Sequence, residues 1–185
     1  WSGSGPAGLK DVVDVSAGGH YLALKDDGTV VAWGNNDHGE ATVPGWLSDV
    51  VDIAAGQDHS LALLRNGTVV SWGRNTEGQA TPPAGLSDVV SIAGSDNTSY
   101  AVKSDGKVVQ WGSNSGSTAL LSNVKRLAVS SGRGLALLKD DTAIGWGDTL
   151  PSHVTTVLDI HSGYSQGSSV VIPTTSPTRI VAHPA

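Results

Sequence analysis

The hydrophobic pattern of the chain returns at a fixed interval. Short apolar runs alternate with polar turns, and the tryptophans that close three of these runs, Trp33, Trp72 and Trp111, are spaced 39 residues apart. Self-similarity with a period of about 20 to 50 residues is typical of propellers and solenoids. The segments before the tryptophans also repeat, and related copies begin near Asp11, Asp49, Asp88, Asn123 and Val157.

Each copy accommodates four short strands and no helix. In the second copy the strands are VVDIAAG, SLALL, TVVSW and QATPP, and Asn66-Gly67 is expected to supply the positive φ values of a tight hairpin. LALL and TVVSW are nearly continuous apolar runs, so both faces of each sheet should be covered. We therefore predict an all-β fold, a β-propeller of about five four-stranded antiparallel blades with the Ala- and Gly-rich first strand at the axis.

The repeats divide the chain into blades of one propeller that spans residues 1–185. The repeat boundaries fall at approximately 11–48, 49–87, 88–122, 123–156 and 157–185. RIVAH near the C-terminus is similar to TVVAW, so we expect residues 1–10 to complete the last repeat and close the ring. The alternatives are a fragment of a larger propeller and a ring completed by two chains.

Composition narrows the classes of partner. The chain has no Cys, which excludes disulfides and thiolate metal sites. Its formal net charge is −6 with only 11 Lys and Arg, which argues against a nucleic-acid partner. No apolar run approaches the roughly 20 residues of a membrane helix, so we expect no membrane insertion. Oligomeric state is left open.

The second copy carries a family resemblance. The pattern V-x-x-I-A-A-G-x-x-H-S-L-A-L-x-x-x-G-T-V-V-x-W-G-x-N-x-x-G-Q, from Val50 to Gln79, resembles the regulator of chromosome condensation repeat. The 39-residue period and the GQATPPAGL tail are most similar to the bacterial propeller-type β-lactamase inhibitory proteins. The resemblance implies a propeller with a protein-binding, inhibitor-like role, and it implies a packing role for His59. Members of that family usually close with seven blades, more than this chain holds.

Two sets of loops differ between copies, whereas the hairpin turns DDG, RNG and SDG stay similar. The loops after the first and third strands of an up-and-down blade emerge on the same side, and varied loops on a rigid scaffold are typical of recognition. The alternative is that these loops simply drift. We predict a ligand-binding face that contains His20, Tyr21, Asp37, His38, Asp58, His59, Glu77, Asp96, Asn97, Arg133, Tyr164 and Gln166.

Motifs for catalysis and metal binding are weak. GYSQG at 163–167 matches G-x-S-x-G, but the nucleophile elbow requires a strand-to-helix turn and no helix is predicted here. His20 and His38 lie in two loops of one blade, yet they lack the spacing of metal ligands. We expect a non-enzymatic protein with no catalytic residues, metal or cofactor.

These observations predict a secreted or cell-surface recognition module that binds a protein partner. Asn66-Gly67-Thr68 and Asn97-Thr98-Ser99 match the glycosylation acceptor pattern, which suits such a setting. One alternative is a multivalent lectin, whose polar loops would bind glycan hydroxyls while Tyr21 and Tyr164 stack on the sugar. A further alternative is a structural repeat unit of a larger surface assembly.

Overall fold

The computed structural model describes residues 5–113, 121–130, 133–146, 159–163 and 167–171. Within these ranges the chain forms fourteen strands and no helix. The strands are β1 (Val12–Ala17), β2 (His20–Lys25), β3 (Val30–Gly34), β4 (Val50–Ala55), β5 (His59–Leu64), β6 (Val69–Gly73), β7 (Val89–Ser95), β8 (Thr98–Lys103), β9 (Val108–Gly112), β10 (Val124–Ser130), β11 (Arg133–Leu138), β12 (Ala143–Trp146), β13 (Asp159–Gly163) and β14 (Gly167–Val171).

Consecutive strands pair antiparallel in separate small sheets. The described residues contain four three-stranded sheets, β1-β2-β3, β4-β5-β6, β7-β8-β9 and β10-β11-β12, and the pair β13-β14. The all-β prediction is confirmed. The number of blades stays a prediction, and the proposed closure by residues 1–10 and the C-terminal strand depends on residues 1–4 and 172–185, which lie outside the described residues.

A fourth strand is not confirmed in the second copy. QATPP, predicted as that strand, forms turns and irregular backbone after β6. The Asn75 side chain accepts a hydrogen bond from the Ala80 backbone at 2.9 Å, which closes a loop where a strand would need to extend. Pro82 and Pro83 have no N–H to donate to a sheet. The local chemistry of this segment therefore favours a turn.

The hairpin turns also differ from the prediction in their backbone. In the first three hairpin turns positive φ is confined to the glycine, as at Gly67 with φ 79°, whereas Asn66 does not adopt it; in the turn between β11 and β12 Asp141 takes that place with φ 63°. Asn66 instead accepts a hydrogen bond from the Thr68 backbone N–H at 3.0 Å. The Leu64 and Gly67 backbones close the turn with a 2.9 Å bond. One glycine is thus enough, and the Asn or Asp before it acts through its side chain.

The first strand of each three-stranded sheet begins after a residue in the left-handed region. Asp11, Asp49, Asp88 and Asn123 have φ between 57° and 60°. Asp and Asn are the non-glycine residues that tolerate this conformation best. In the second copy the Asp49 carbonyl accepts a hydrogen bond from Arg65 N at 2.9 Å, which ties the strand entry to the hairpin turn. The recurring D-V-V of the sequence marks this junction.

The first strands of neighbouring sheets approach one another closely. Gly19 N donates to the Gly56 carbonyl, and Gln57 N donates to the Asp96 carbonyl, both at 3.3 Å. A Cβ atom on Gly18 would overlap the Gly56 carbonyl oxygen. Glycine is therefore needed where these backbones meet, which agrees with the predicted position of the first strand at a crowded axis.

The core lies between successive sheets. Leu22 and Leu24 of the first sheet pack with Ile53 and Trp72 of the second in one buried cluster. Trp72 is 9% exposed, so it fills the space between two sheets as the sequence predicts. Val15, which corresponds to Ile53, is 68% exposed, whereas Ile53 is 5% exposed. A first strand is thus buried by the sheet that precedes it.

Candidate binding face

A buried hydrogen-bonded cluster joins the first two sheets beneath the variable loops. The carbonyl of Glu40 accepts hydrogen bonds from Ser60 Oγ and Trp72 Nε1, both at 2.8 Å. His20 Nε2 lies 2.6 Å from Ser60 Oγ, and the imidazole is the donor because the serine hydroxyl proton is directed at the carbonyl. One backbone oxygen thus connects side chains of two sheets.

The same cluster recurs one repeat later. His59 Nε2 lies 2.9 Å from Ser99 Oγ, while Ser99 and Trp111 donate to the Gln79 carbonyl at 2.8 and 2.9 Å. Burial, and then the neighbouring His20, lower the pKa of His59 to about 4. Burial also lowers the pKa of His20, although Glu40 opposes the shift. Both imidazoles are therefore neutral near pH 7.

The burial of these histidines corrects part of the predicted face. His20 and His59 are both 0% exposed, so they form part of the scaffold and cannot touch a ligand in this structure. The packing role implied for His59 by the family resemblance is what the structure shows. For His20 the sequence suggested a loop position, but the residue begins β2 and its ring points between two sheets.

The loops after first and third strands do meet on one side, here called the loop face. Arg74, which follows β6, donates its backbone N–H to the carbonyl of Asp58, which precedes β5, at 2.8 Å. Its guanidinium also pairs with the Asp58 carboxylate at 3.2 Å. One repeat later Ser113 N donates to the Asn97 carbonyl at 2.8 Å. The predicted convergence of the two loop sets is therefore present in both repeats.

Four of the predicted site residues are exposed on the loop face. They are Asp37, His38, Glu77 and Asp96. The loops that carry them are held by their own hydrogen bonds, since Asn36 Oδ1 accepts from the Ala41 backbone at 2.9 Å. Asp58 and Asn97 are partly buried between them. The loop face is thus polar, preorganised and mostly acidic.

A buried glutamate under the loop face was missed by the sequence analysis. Glu40 is 0% exposed, and its Oε2 accepts a hydrogen bond from the His38 backbone at 2.8 Å. Its Oε1 is buried without a hydrogen-bond partner among the described residues. The corresponding Gln79 instead donates from Nε2 to Asn97 Oδ1 at 3.2 Å. The signal was the change from GQAT to GEAT at one position of the repeat.

Of the four remaining predicted site residues, two lie in the described part of the chain. Tyr21 is half-buried and stacks on Trp33, with ring centroids 5.4 Å apart and planes inclined by 17°, so it offers no free ring face on the side that Trp33 covers. Arg133 begins β11 and its Cα pairs with Ser130 in the sheet. Tyr164 and Gln166 lie outside the described residues.

A titratable carboxyl lies near the axis, in the first strand of the second sheet. Asp52 accepts hydrogen bonds from Ile53 N at 3.0 Å and from Ile92 N of the next sheet at 3.3 Å. Burial raises the pKa of Asp52 to about 6, and Arg126 opposes this rise. Asp52 therefore links two first strands while titrating close to neutrality.

Features of catalysis or metal binding do not converge where the structure describes the chain. The ends of the G-x-S-x-G motif, Gly163 and Gly167, pair with each other across the antiparallel strands β13 and β14, so the motif does not lead from a strand into a helix. In the described ranges no three His, Asp or Glu side chains come together as metal ligands. No helix there has the length and apolar character to cross a bilayer.

Comparison with known proteins identifies two of the repeats. Residues 12–40 and 50–79 match the regulator of chromosome condensation (RCC1) repeat. Comparison with curated proteins gave no match. The fold is similar to the ectodomain of the Physcomitrella patens receptor kinase CR4, with 22% identity, a TM-score of 0.74, and coverage of 95% of this chain and 52% of that one.

Two further structures show the same likeness. The ectodomain of the Arabidopsis thaliana receptor kinase ACR4 is 20% identical, with a TM-score of 0.66 and coverage of 92% and 64%. Prp20p from Saccharomyces cerevisiae is 19% identical, with a TM-score of 0.67 and coverage of 89% and 57%. The chain thus spans between about half and two thirds of their lengths. The finer resemblance to bacterial inhibitory proteins is not confirmed. The chain therefore contains regulator of chromosome condensation repeats at residues 12–40 and 50–79, in a fold similar to that of these three structures.

Proposed function

We propose that the protein is a non-enzymatic recognition module, secreted or at the cell surface, that binds a protein partner through the loop face. The observation that carries this proposal is the exposure of diverse polar loops on a rigid, repeated scaffold. The scaffold is held by buried bridges such as His59 to Ser99, while Asp37 and Glu77 project from loops above it. Separation of a constant frame from varied loops is the usual arrangement for binding.

Charge on the loop face indicates the kind of partner. Asp37, Glu77 and Asp96 are exposed, and the cation beside them, Arg74, is already paired with Asp58. The described part of the loop face therefore has surplus negative charge. Complementary potentials accelerate encounter and select against wrong partners. We infer a partner with a basic surface.

The structural neighbours support this class of function. The yeast protein Prp20p has binding properties toward Gsp1p and histones, and another structure contains it bound to Kap60. The two plant neighbours are ectodomains of receptor kinases, which supports a surface setting. Because the chain spans only part of each neighbour, we carry over the class of interaction and no individual partner.

A lectin role for the loop face has less support. Sugar recognition commonly uses an exposed aromatic ring as a stacking platform, since such a ring combines a large apolar face with polar surroundings. Tyr21 is half-buried against Trp33. Among the side chains whose exposure is described, the loop face carries no exposed aromatic ring. A protein partner with basic groups fits the loop face better.

The test is a selection of binders from a displayed library of random peptides. The wild type is compared with the triple variant Asp37→Asn, Glu77→Gln, Asp96→Asn, which neutralises the loop face. A matched control, Asp11→Asn, Asp26→Asn, Asp88→Asn, removes three exposed carboxylates from the opposite side. The changes at the strand entries, Asp11→Asn and Asp88→Asn, keep a residue type that tolerates positive φ, as Asn123 does.

We expect the selected peptides to be rich in Lys and Arg and to bind the control as tightly as the wild type. Loss of the three loop-face charges should weaken binding by about tenfold or more, since each rim charge contributes a fraction of a kcal/mol to a few kcal/mol. Binding should also weaken as salt is added. Equal affinity for the loop-face variant would move the site elsewhere, and failure to select any peptide would count against a protein-binding role.

A further inference from the structure

We propose a carbohydrate-binding subsite centred on Trp46, on the side of the molecule opposite the loop face. The Trp46 residue is 69% exposed. It borders an open pocket of about 400 Å³ formed by the strand entry of β4 and the β5–β6 hairpin turn. The pocket is lined by Trp46, Ser48, Asp49, Leu64, Arg65 and Asn66. Its volume falls within the range of small-ligand sites, about 300 to 1,000 Å³.

The repeat itself shows that the fold does not require this indole. Trp46 occupies a turn closed by a 2.9 Å hydrogen bond from Leu47 N to the Pro44 carbonyl. The turn at the corresponding place in the next repeat is closed by Leu86 N and has Gly85 in place of the tryptophan, with a positive φ of 78° that Trp46 does not adopt. A glycine is thus sufficient for the turn. Because Trp46 replaces this glycine and its ring remains exposed, packing within the fold does not explain the presence of the tryptophan.

Two charged side chains at the pocket have no partner. The backbones of Asp49 and Arg65 are joined by a 2.9 Å hydrogen bond, which fixes both residues at the pocket. Within the described ranges, however, neither the Asp49 carboxylate nor the Arg65 guanidinium makes a hydrogen bond or an ion pair. The pocket therefore presents an uncommitted acceptor and an uncommitted set of donors beside an exposed aromatic face.

This combination favours a neutral, hydroxyl-rich ring. A hydroxyl both donates and accepts, so neighbouring hydroxyls of one sugar can donate to Asp49 and accept from Arg65. The C–H face of the sugar can cover the apolar indole of Trp46. A peptide with one charged anchor would form an ion pair with either Asp49 or Arg65 and would leave the other charged group desolvated, which is unfavourable. A sugar satisfies donor, acceptor and aromatic face together.

The subsite is independent of the proposed protein-binding face. The β5–β6 turn and the entry of β4 lie at the ends of the strands opposite to the loops that carry Glu77 and Asp96. Removing loop-face charges should leave the subsite unchanged, and removing Trp46 should leave the loop face unchanged. Failure of one proposal can therefore be distinguished from failure of the other.

Substitutions that copy other repeats provide matched variants. Trp46→Gly introduces the residue found at Gly85, and Arg65→Ser introduces the residue found at Ser104. Asp49→Asn introduces the residue found at Asn123, which has φ 57° in the corresponding place. Each variant removes one recognition group while keeping a residue type that the repeat already tolerates. Thermal denaturation of each variant verifies that it is folded.

The experiment is a ¹H–¹⁵N NMR titration of the wild type with glucose, galactose, mannose and N-acetylglucosamine, together with an oligosaccharide array. We expect a saturable shift of the Trp46 indole N–H signal with at least one sugar. Trp46→Gly should weaken binding by about tenfold or more, and Asp49→Asn and Arg65→Ser by about three- to tenfold each, as for loss of single contacts. The loop-face triple variant should bind as the wild type does.

Several results would overturn the proposal. A blank array together with an unmoved indole signal would exclude a sugar at this pocket. Sugar binding that Trp46→Gly leaves intact would place it elsewhere. Selection of random peptides that bind the wild type but not Trp46→Gly, without any sugar response, would assign the pocket to a peptide.

Discussion

Replacing Glu40 with glutamine should stabilise the protein. Glu40 and Gln79 occupy the same place in successive repeats and both are 0% exposed. Gln79 uses its oxygen to accept from Glu77 N at 2.9 Å and its nitrogen to donate to Asn97. Glu40 accepts from His38 N in the same way, but its other oxygen has no hydrogen-bond partner among the described residues. The substitution Glu40→Gln would convert that oxygen into a donor.

The repeat indicates where the new donor would point. A glycine ends the third strand in both places, at Gly73 and Gly112. A Cβ atom built on Gly73 would lie 3.0 Å from Glu40 Cβ and 2.7 Å from the Asp58 carbonyl oxygen, and one built on Gly112 would lie 3.0 Å from Gln79 Cβ and against the Asn97 carbonyl oxygen. Asp58 and Glu40 therefore flank Gly73 as Asn97 and Gln79 flank Gly112. An amide at position 40 can therefore donate to the Asp58 carboxylate. A buried polar atom without a partner costs about 1 to 3 kcal/mol, so we expect a gain of about 1 to 2 kcal/mol.

The assay is urea denaturation at pH 7, comparing the wild type, Glu40→Gln and the control Glu77→Gln. The control removes one carboxylate from an exposed site, so it reports the effect of net charge alone and should change stability by less than about 0.5 kcal/mol. The midpoint for Glu40→Gln should rise with an unchanged m-value. A fall in stability of Glu40→Gln would show that the carboxylate has a favourable environment and would refute the reasoning.

Four further predictions concern packing and pH. Trp72→Ala should lower the free energy of unfolding by about 3 to 5 kcal/mol because Trp72 fills the space between two sheets, and a loss below about 1 kcal/mol in denaturant titration would contradict that placement. Gly56→Ala should cost about 2 to 3 kcal/mol, because its Cβ would overlap the His59 ring, whereas Gly45→Ala, with open space around it, should be nearly neutral in the same assay. The pKa of His59 is lowered from 6.5 to about 4 in the folded protein, so the unfolded chain binds a proton first as the pH falls. The free energy of unfolding of the wild type should therefore fall by up to about 3 kcal/mol relative to that of His59→Gln between pH 6.5 and 4. Parallel profiles of unfolding free energy against pH for the two proteins would contradict a buried neutral imidazole. The pKa of Asp52 is raised from 3.8 to about 6 in the folded protein, so the unfolded chain loses its proton first as the pH rises. The free energy of unfolding of Asp52→Asn should therefore rise by up to about 3 kcal/mol relative to that of the wild type between pH 3.8 and 6, measured by denaturation across that range. A constant difference between the two proteins would show that Asp52 titrates normally.

Much of the architecture could be read from the repeat. The 39-residue period, the position of the hairpin glycines and the alternation of turns with apolar runs all predict the three antiparallel strands seen in each of four sheets. The predicted fourth strand failed at QATPP, because the side chain of Asn75 closes a local loop there. Side-chain to backbone hydrogen bonds of this kind compete with strand formation and leave little trace in a hydrophobic pattern.

The site was predicted less completely. The convergence of the two loop sets followed from strand topology and is present at Asp58 and Arg74. His20 and His59 were both predicted on the ligand-binding face, yet both are buried, and only the family resemblance implied a packing role, for His59. Trp46 was not predicted as a site residue, because it is a single substitution in a turn that otherwise stays similar between repeats, whereas the predicted site residues lie in loops that vary in length and charge.

The repeat, the positions of strands and turns and the choice of glycine at crowded places follow from the amino-acid sequence, since these depend on local backbone conformation and on the alternation of apolar residues. The exposure of the polar residues, in contrast, depends on how the sheets pack together. His20 and Glu40 are buried, Asp52 is half-buried, and all three are hydrogen-bonded to the neighbouring sheet, whereas Trp46 is exposed at a turn. Burial depends on contacts between repeats distant in sequence, and a pattern within one repeat does not contain that information.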